Sequence, residues 1–164
     1  MEARVTRGVP EVTVIFTTPE ATIAALRVAA TLGRSWNAPI RLLAQQPPMR
    51  SISQDRRIGN PVENPAFRAR LAAEIDARVD VLVCVARCMT DLARALLHRH
   101  SLVVIGGRRS WWPTQQERLR RALEAQGHFV IFVNEADERS QHEHQHAGCR
   151  HDGGREPSEQ LERG

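Results

Sequence analysis

Short apolar runs alternate with longer amphipathic stretches over the first 134 residues, and that alternation sets the expected fold. Val12-Thr13-Val14-Ile15-Phe16-Thr17-Thr18 is rich in β-branched residues and apolar on both faces, so it is expected as a central strand covered on both sides. Pro19-Glu20 opens a helical stretch from Ala21 to Leu32, with Ile23, Leu26, Val28, Ala29 and Ala30 on a broad apolar face and Gly33 as the predicted stop. Pro39 to Leu43 is a second strand, and Gln45 to Asn64, with Pro47-Pro48 and Gly59-Asn60-Pro61, reads as a long loop. Asn64-Pro65 supplies the cap and first turn of a helix that continues through Phe67, Leu71 and Ile75. There follow a third strand (Val79 to Val85), a helix (Thr90 to His98), a fourth strand (Ser101 to Gly107), a helix (Thr114 to Ala125) and a fifth strand (Phe129 to Val133). Strands alternating with helices in this way predict an α/β fold: a parallel five-stranded sheet between two helical layers, a Rossmann-like three-layer sandwich.

The pattern stops at Asn134. Residues 135–164 are rich in histidine, glutamate, arginine, glycine and glutamine with almost nothing to bury, so a domain over 1–134 and a disordered, His-rich polar tail over 135–164 are expected. That tail lowers the mean hydropathy of the 164 residues to −0.40 although 41% of them are hydrophobic. No apolar run approaches the roughly 18 residues that cross a bilayer. Met1-Glu2-Ala3-Arg4 lacks the order of a secretory signal, so a cytoplasmic protein without a membrane partner is expected. All 23 basic residues are arginine, which excludes a Walker-type phosphate lysine and a lysine Schiff base. The net charge of +4 favours anions, but the arginines alternate with glutamates and aromatics make up only 4%, so nucleic acid is not an expected partner.

In an open parallel sheet, ligands bind beyond the carboxyl ends of the strands where the strand order reverses, so candidate chemistry belongs in the loops that follow strands. The most informative is Ile105-Gly106-Gly107-Arg108-Arg109-Ser110: the glycines let a backbone approach a ligand closely, and the two arginines favour a phosphate. The bland alternative is a tight turn with solvated arginines. Thr114-Gln115-Gln116-Glu117 is a capping box that satisfies some of the next helix's amides and leaves one or two for a small anion.

The order of elements and this glycine-arginine turn resemble the universal stress protein family, over Val12 to Asn134. Family members carry an aspartate at the end of the first strand and a Gly-x-Arg-Gly turn after the fourth, followed by a longer spacer and Gly-Ser or Gly-Thr. Gly106, Gly107 and Arg108 match the start of that motif. Arg109 stands at the second glycine, Ser110-Trp111-Trp112 is a shortened spacer, Pro113-Thr114 replaces glycine plus hydroxyl, and Thr17-Thr18 replaces the aspartate. The resemblance implies strand order 3-2-1-4-5 with a crevice between the first and fourth strands. It also implies ATP or AMP as ligand, held by Thr17, Thr18, Gly106, Gly107, Arg108, Arg109 and Thr114, and a homodimer paired through the fifth strand.

Other features carry alternatives. Trp111-Trp112 could stack on a base, anchor a protein partner or seal the sheet edge. Cys84 and Cys88, four apart at a strand end and a helix start, could form a redox pair, although buried cysteines more often act as small hydrophobes. In the tail, His142, His144, His146, Cys149 and His151 are candidate ligands for zinc, nickel or copper, in a spacing that fits no closed zinc module. His98, His100 and His128 flank strands four and five and are expected at the surface or an interface. With no nucleophile elbow, strand-end carboxylate pair or HExxH helix, no catalytic role is expected, and the resemblance implies a noncatalytic stress-response or regulatory protein. The alternatives are a ligand-free protein-interaction scaffold and a metal-binding tail on an inert domain.

Overall fold

The computed structural model describes residues 11–48, 61–108 and 114–136. Arg109, Trp111, Trp112, the middle of the Gln45–Asn64 loop and the five tail metal-ligand candidates lie outside the described residues. Five strands, β1 (Val12–Ile15), β2 (Ile40–Gln46), β3 (Val79–Val85), β4 (Leu102–Gly107) and β5 (Phe129–Asn134), form one sheet in the order β3-β2-β1-β4-β5. Every pairing is parallel, as expected, with Val12 opposite both Ile40 and Leu102. Four α-helices make the connections: α1 (Pro19–Trp36), α2 (Pro65–Glu74), α3 (Met89–Leu96) and α4 (Gln115–Ala125). A short 3-10 turn, Pro61–Glu63, precedes α2.

Strand alternation divides the core in two. Val12, Val14 and Val104 point towards α1 and α2, where Ile23, Leu26, Ala29 and Phe67 complete one cluster; the rings of Phe67 and Phe16 meet edge to face at 5.3 Å. Ile15, Val103 and Ile105 point the other way, against Ala93 of α3 and Leu119 and Leu123 of α4. All four residues of β1 are buried, the central position its sequence predicts.

Element boundaries depart from the sequence expectation in four places. β1 ends at Ile15, because the Thr17 amide turns to the Thr22 hydroxyl and Thr18 becomes the extended N-cap of α1. β2 runs on to Gln46, since β3 offers ladder partners as far as Gln46 opposite Val85. α3 stops at Leu96, two residues before His98, where Leu97 turns extended while its amide still bonds the Ala93 carbonyl.

The fourth departure concerns Gly33, which is not the stop of α1. The helix ends at Asn37, left-handed at φ 51, and the Gly33 carbonyl accepts from the Asn37 and Ala38 amides. Gly33 instead permits close approach: a Cβ there would sit 3.1 Å from both the Ala38 carbonyl oxygen and the Ile40 side chain.

Candidate functional site

The strand order reverses between β1 and β4, whose carboxyl ends precede α1 and α4 in the chain. On the β1 side, the Thr17 hydroxyl donates to the Gly106 carbonyl at 2.8 Å, a bridge across 89 residues that ties the two strand ends together. The Thr17 amide donates to the Thr22 hydroxyl at 3.1 Å. Thr18 caps α1 by accepting from the Ala21 amide at 3.3 Å, with Pro19 as the first helical residue.

On the β4 side, both glycines are required by packing. A Cβ on Gly106 would lie 1.8 Å from the Ala21 carbonyl oxygen, so the first turn of α1 rests directly on the end of β4. A Cβ on Gly107 would meet the Phe132 ring at 2.7 Å and Gln116 of α4 at 3.2 Å. The two residues are buried, and Arg108 beyond them is exposed. Thr114 caps α4, its hydroxyl accepting from the Glu117 amide at 3.2 Å. Among the described residues the second half of the capping box is not made: the Glu117 carboxylate binds Arg120 at 2.7 Å and Arg121 at 3.4 Å. The hydrogen bond from Arg120 holds that carboxyl below its ordinary pKa. Nothing among the described residues accepts from the amides of Gln115 and Gln116, which open the helix.

The structure thus brings Thr17, Thr18, Gly106, Gly107, Arg108 and Thr114 to the carboxyl edge of the sheet, and Arg109 lies outside the described residues. Two residues missed in the sequence contribute here. Thr22, a hydroxyl fully buried on the apolar face of α1, holds the turn, and Gln116 packs on Gly107. A polar residue inside an apolar helical face was the available signal for Thr22; Gln116 offered none, because its contact exists only once α4 has docked.

Cys84 is half-buried in β3, while the exposed Cys88 caps α3 by accepting from the Asp91 amide at 3.4 Å. No group of three or more metal-ligating side chains occurs among the described residues, and no helix among them is long and apolar enough to cross a membrane. His128 departs from the surface position expected of it, since it is 9% exposed beneath the turn that enters β5.

The sequence matches no protein-family model and no curated protein. Among solved structures, the chain is similar to a universal stress protein from Archaeoglobus fulgidus, at 16% identity over 76% of this chain and 93% of that one, with a TM-score of 0.56. It is also similar to the universal stress protein from Archaeoglobus fulgidus in complex with dAMP, at 16% identity over 76% of this chain and 98% of that one, with a TM-score of 0.51. Five parallel strands in the order 3-2-1-4-5, helices on both faces and these two likenesses together give the chain the Rossmann-like α/β fold of universal stress proteins.

Proposed function

We propose that this chain is a noncatalytic stress-response or regulatory protein of the universal stress protein type, cytoplasmic, which binds an adenine nucleotide at the crevice between β1 and β4. The observation that carries this reading is the placement at one sheet edge of the exposed Arg108 and the first turn of α4, where no described residue accepts from the Gln115 and Gln116 amides. Amides at a helix start and a guanidinium are complementary to phosphate oxygens. The dAMP held by the Archaeoglobus fulgidus protein of the same fold supports an AMP-type ligand, with ATP as the larger alternative. The hydroxyls of Thr17, Thr18 and Thr114 are all engaged with backbone groups, so none is poised as a nucleophile, which supports binding over turnover.

Calorimetry with AMP and ATP tests the proposal. Binding heat is expected in the native chain and is lost in the Arg108→Ala, Arg109→Ala double variant. Absence of heat with both nucleotides in the native chain overturns it.

A second reading, a protein-interaction role, is favoured by the sheet edges. Phe129 on β5 is 63% exposed and Val85 on β3 is 67% exposed, on strands that each have a single ladder partner among the described residues. Pairing of two copies through β5 would cover the first of these edges.

A further inference from the structure

His128 is the one buried titratable side chain among the described residues, and the crevice makes no use of it. It lies between the last turn of α4 and the start of β5, where its backbone amide donates to the Leu123 carbonyl at 3.1 Å. Among the described residues its ring Nδ1 is buried without a hydrogen-bond partner. A neutral imidazole with its proton on Nε2 leaves Nδ1 a bare acceptor, the form this site accommodates best; a proton on Nδ1 would be a buried donor with no acceptor.

The neighbouring turn supplies a second imidazole. His100, left-handed at φ 61, places its Nδ1 3.1 Å from the carbonyl oxygen of Gly127, itself at φ 84. A carbonyl oxygen only accepts, so His100 keeps a proton on Nδ1 whether neutral or charged. Its ring leans on Phe129, the first residue of β5, at 6.3 Å. Charged or titratable groups on the packed elements are Glu117, Arg118, Arg120, Arg121 and Glu124 of α4, and His98, Arg99 and His100 before β4. Arg120 binds the Glu124 carboxylate at 3.1 Å, and the charge that bears on His128 is that of His100, of the same sign. Burial first, and His100 second, hold the His128 imidazole below its ordinary pKa.

We propose that His100 and His128 form a pH-operated clasp on the edge strand β5, closed while His128 is neutral and opened at its β5 end by protonation of His128, with the rest of the sheet intact. An opened turn returns His128 to water, where it takes up a proton near the ordinary imidazole value of about 6.5. Opening is therefore unaffected by pH above that value. Below it, opening becomes more favourable by up to about tenfold per pH unit until the closed form also protonates. The response is local because, among the described residues, β5 is laddered to β4 alone, whereas β1 is held on both sides. If two copies pair through β5, acid would also release that pairing; this consequence rests on the second reading above, but the clasp itself does not.

The experiment uses the full chain. Imidazole titrations followed by NMR are combined with amide hydrogen exchange at pH 7.5 and 5.5, corrected for intrinsic exchange, comparing Phe129–Val133 with Val12–Ile15. His128 is expected to titrate below the ordinary imidazole value of about 6.5. Protection in β5 is expected to fall at the lower pH, by at most about tenfold, while β1 is unchanged, and His128→Phe should abolish the difference. Titration of His128 at or above about 6.5, equal loss of protection in β5 and β1, or an unaltered pH response in His128→Phe each overturns the proposal. Should His128→Phe fail to fold, His128→Asn serves the same comparison, and the native titration decides by itself.

Discussion

At Gly106 the hydrogen that replaces a side chain faces the Ala21 carbonyl, and the obstacle to any larger group is backbone on a helix buried along most of one face. Gly106→Ala is therefore expected to cost about 3 kcal/mol, read as a lower midpoint in denaturant unfolding. Gly107→Ala should cost less, about 1 kcal/mol, since it meets the far end of the Phe132 ring on a half-buried edge strand that can give way. Thr17→Val keeps the shape of the side chain but removes the bond to the Gly106 carbonyl, an expected loss of about 1 kcal/mol. A glycine pair after a strand was visible in the sequence, and its most direct meaning there was room for a ligand. The structure adds that both positions are already filled by the protein's own atoms, which is a property of how α1 and α4 dock and not of the local sequence.

Among elements, α2 depends on one buried ring and a set of charges. Phe67 is its one buried residue, and it is otherwise tied to α1 through Arg27 and Arg70, which both bind Glu74, with Glu20 3.9 Å from Arg70. Burial raises the Glu74 carboxyl pKa, but the hydrogen bonds and charges of Arg70 and Arg27 outweigh that and hold it below the ordinary value. A carboxyl with a lowered folded-state pKa adds stability above the unfolded-state value of about 4.5 and loses it as pH falls through the folded value. Glu74→Gln is expected to cost about 1 kcal/mol at pH 7 and to flatten the acid limb of a stability–pH profile, measured by denaturation between pH 3 and 7. The helices were legible from apolar period and caps: Asn64 and Thr114 each cap the helix their position announces, whereas Thr18, read as the end of the first strand, caps α1. The ends were less so, because α1 passes Gly33 to reach a left-handed Asn37 and β2 lengthens to match β3.

At the scale of the whole molecule, the exposed Phe129 on the edge strand β5 bears on the proposed pairing of two copies. If β5 pairs with a second copy, light scattering at micromolar concentration gives twice the chain mass, and a charge placed on the strand, as in Ile131→Lys, reduces it to one; a monomer in the native chain would remove the dimer. The sequence by itself determined the α/β class, the number and order of strands and helices, and the burial of β1 on both faces. Those properties follow from local hydrophobic period, capping residues and chain-order rules, which act within a few residues or constrain how successive elements connect. Only the tertiary structure decided that the glycine pair is a packing contact, that the Thr17 hydroxyl bonds the end of β4, and that His128 is buried with a ring nitrogen unpaired among the described residues. Each of these depends on atoms from segments distant in the chain meeting at van der Waals or hydrogen-bond range, and a linear pattern does not encode which of them will meet.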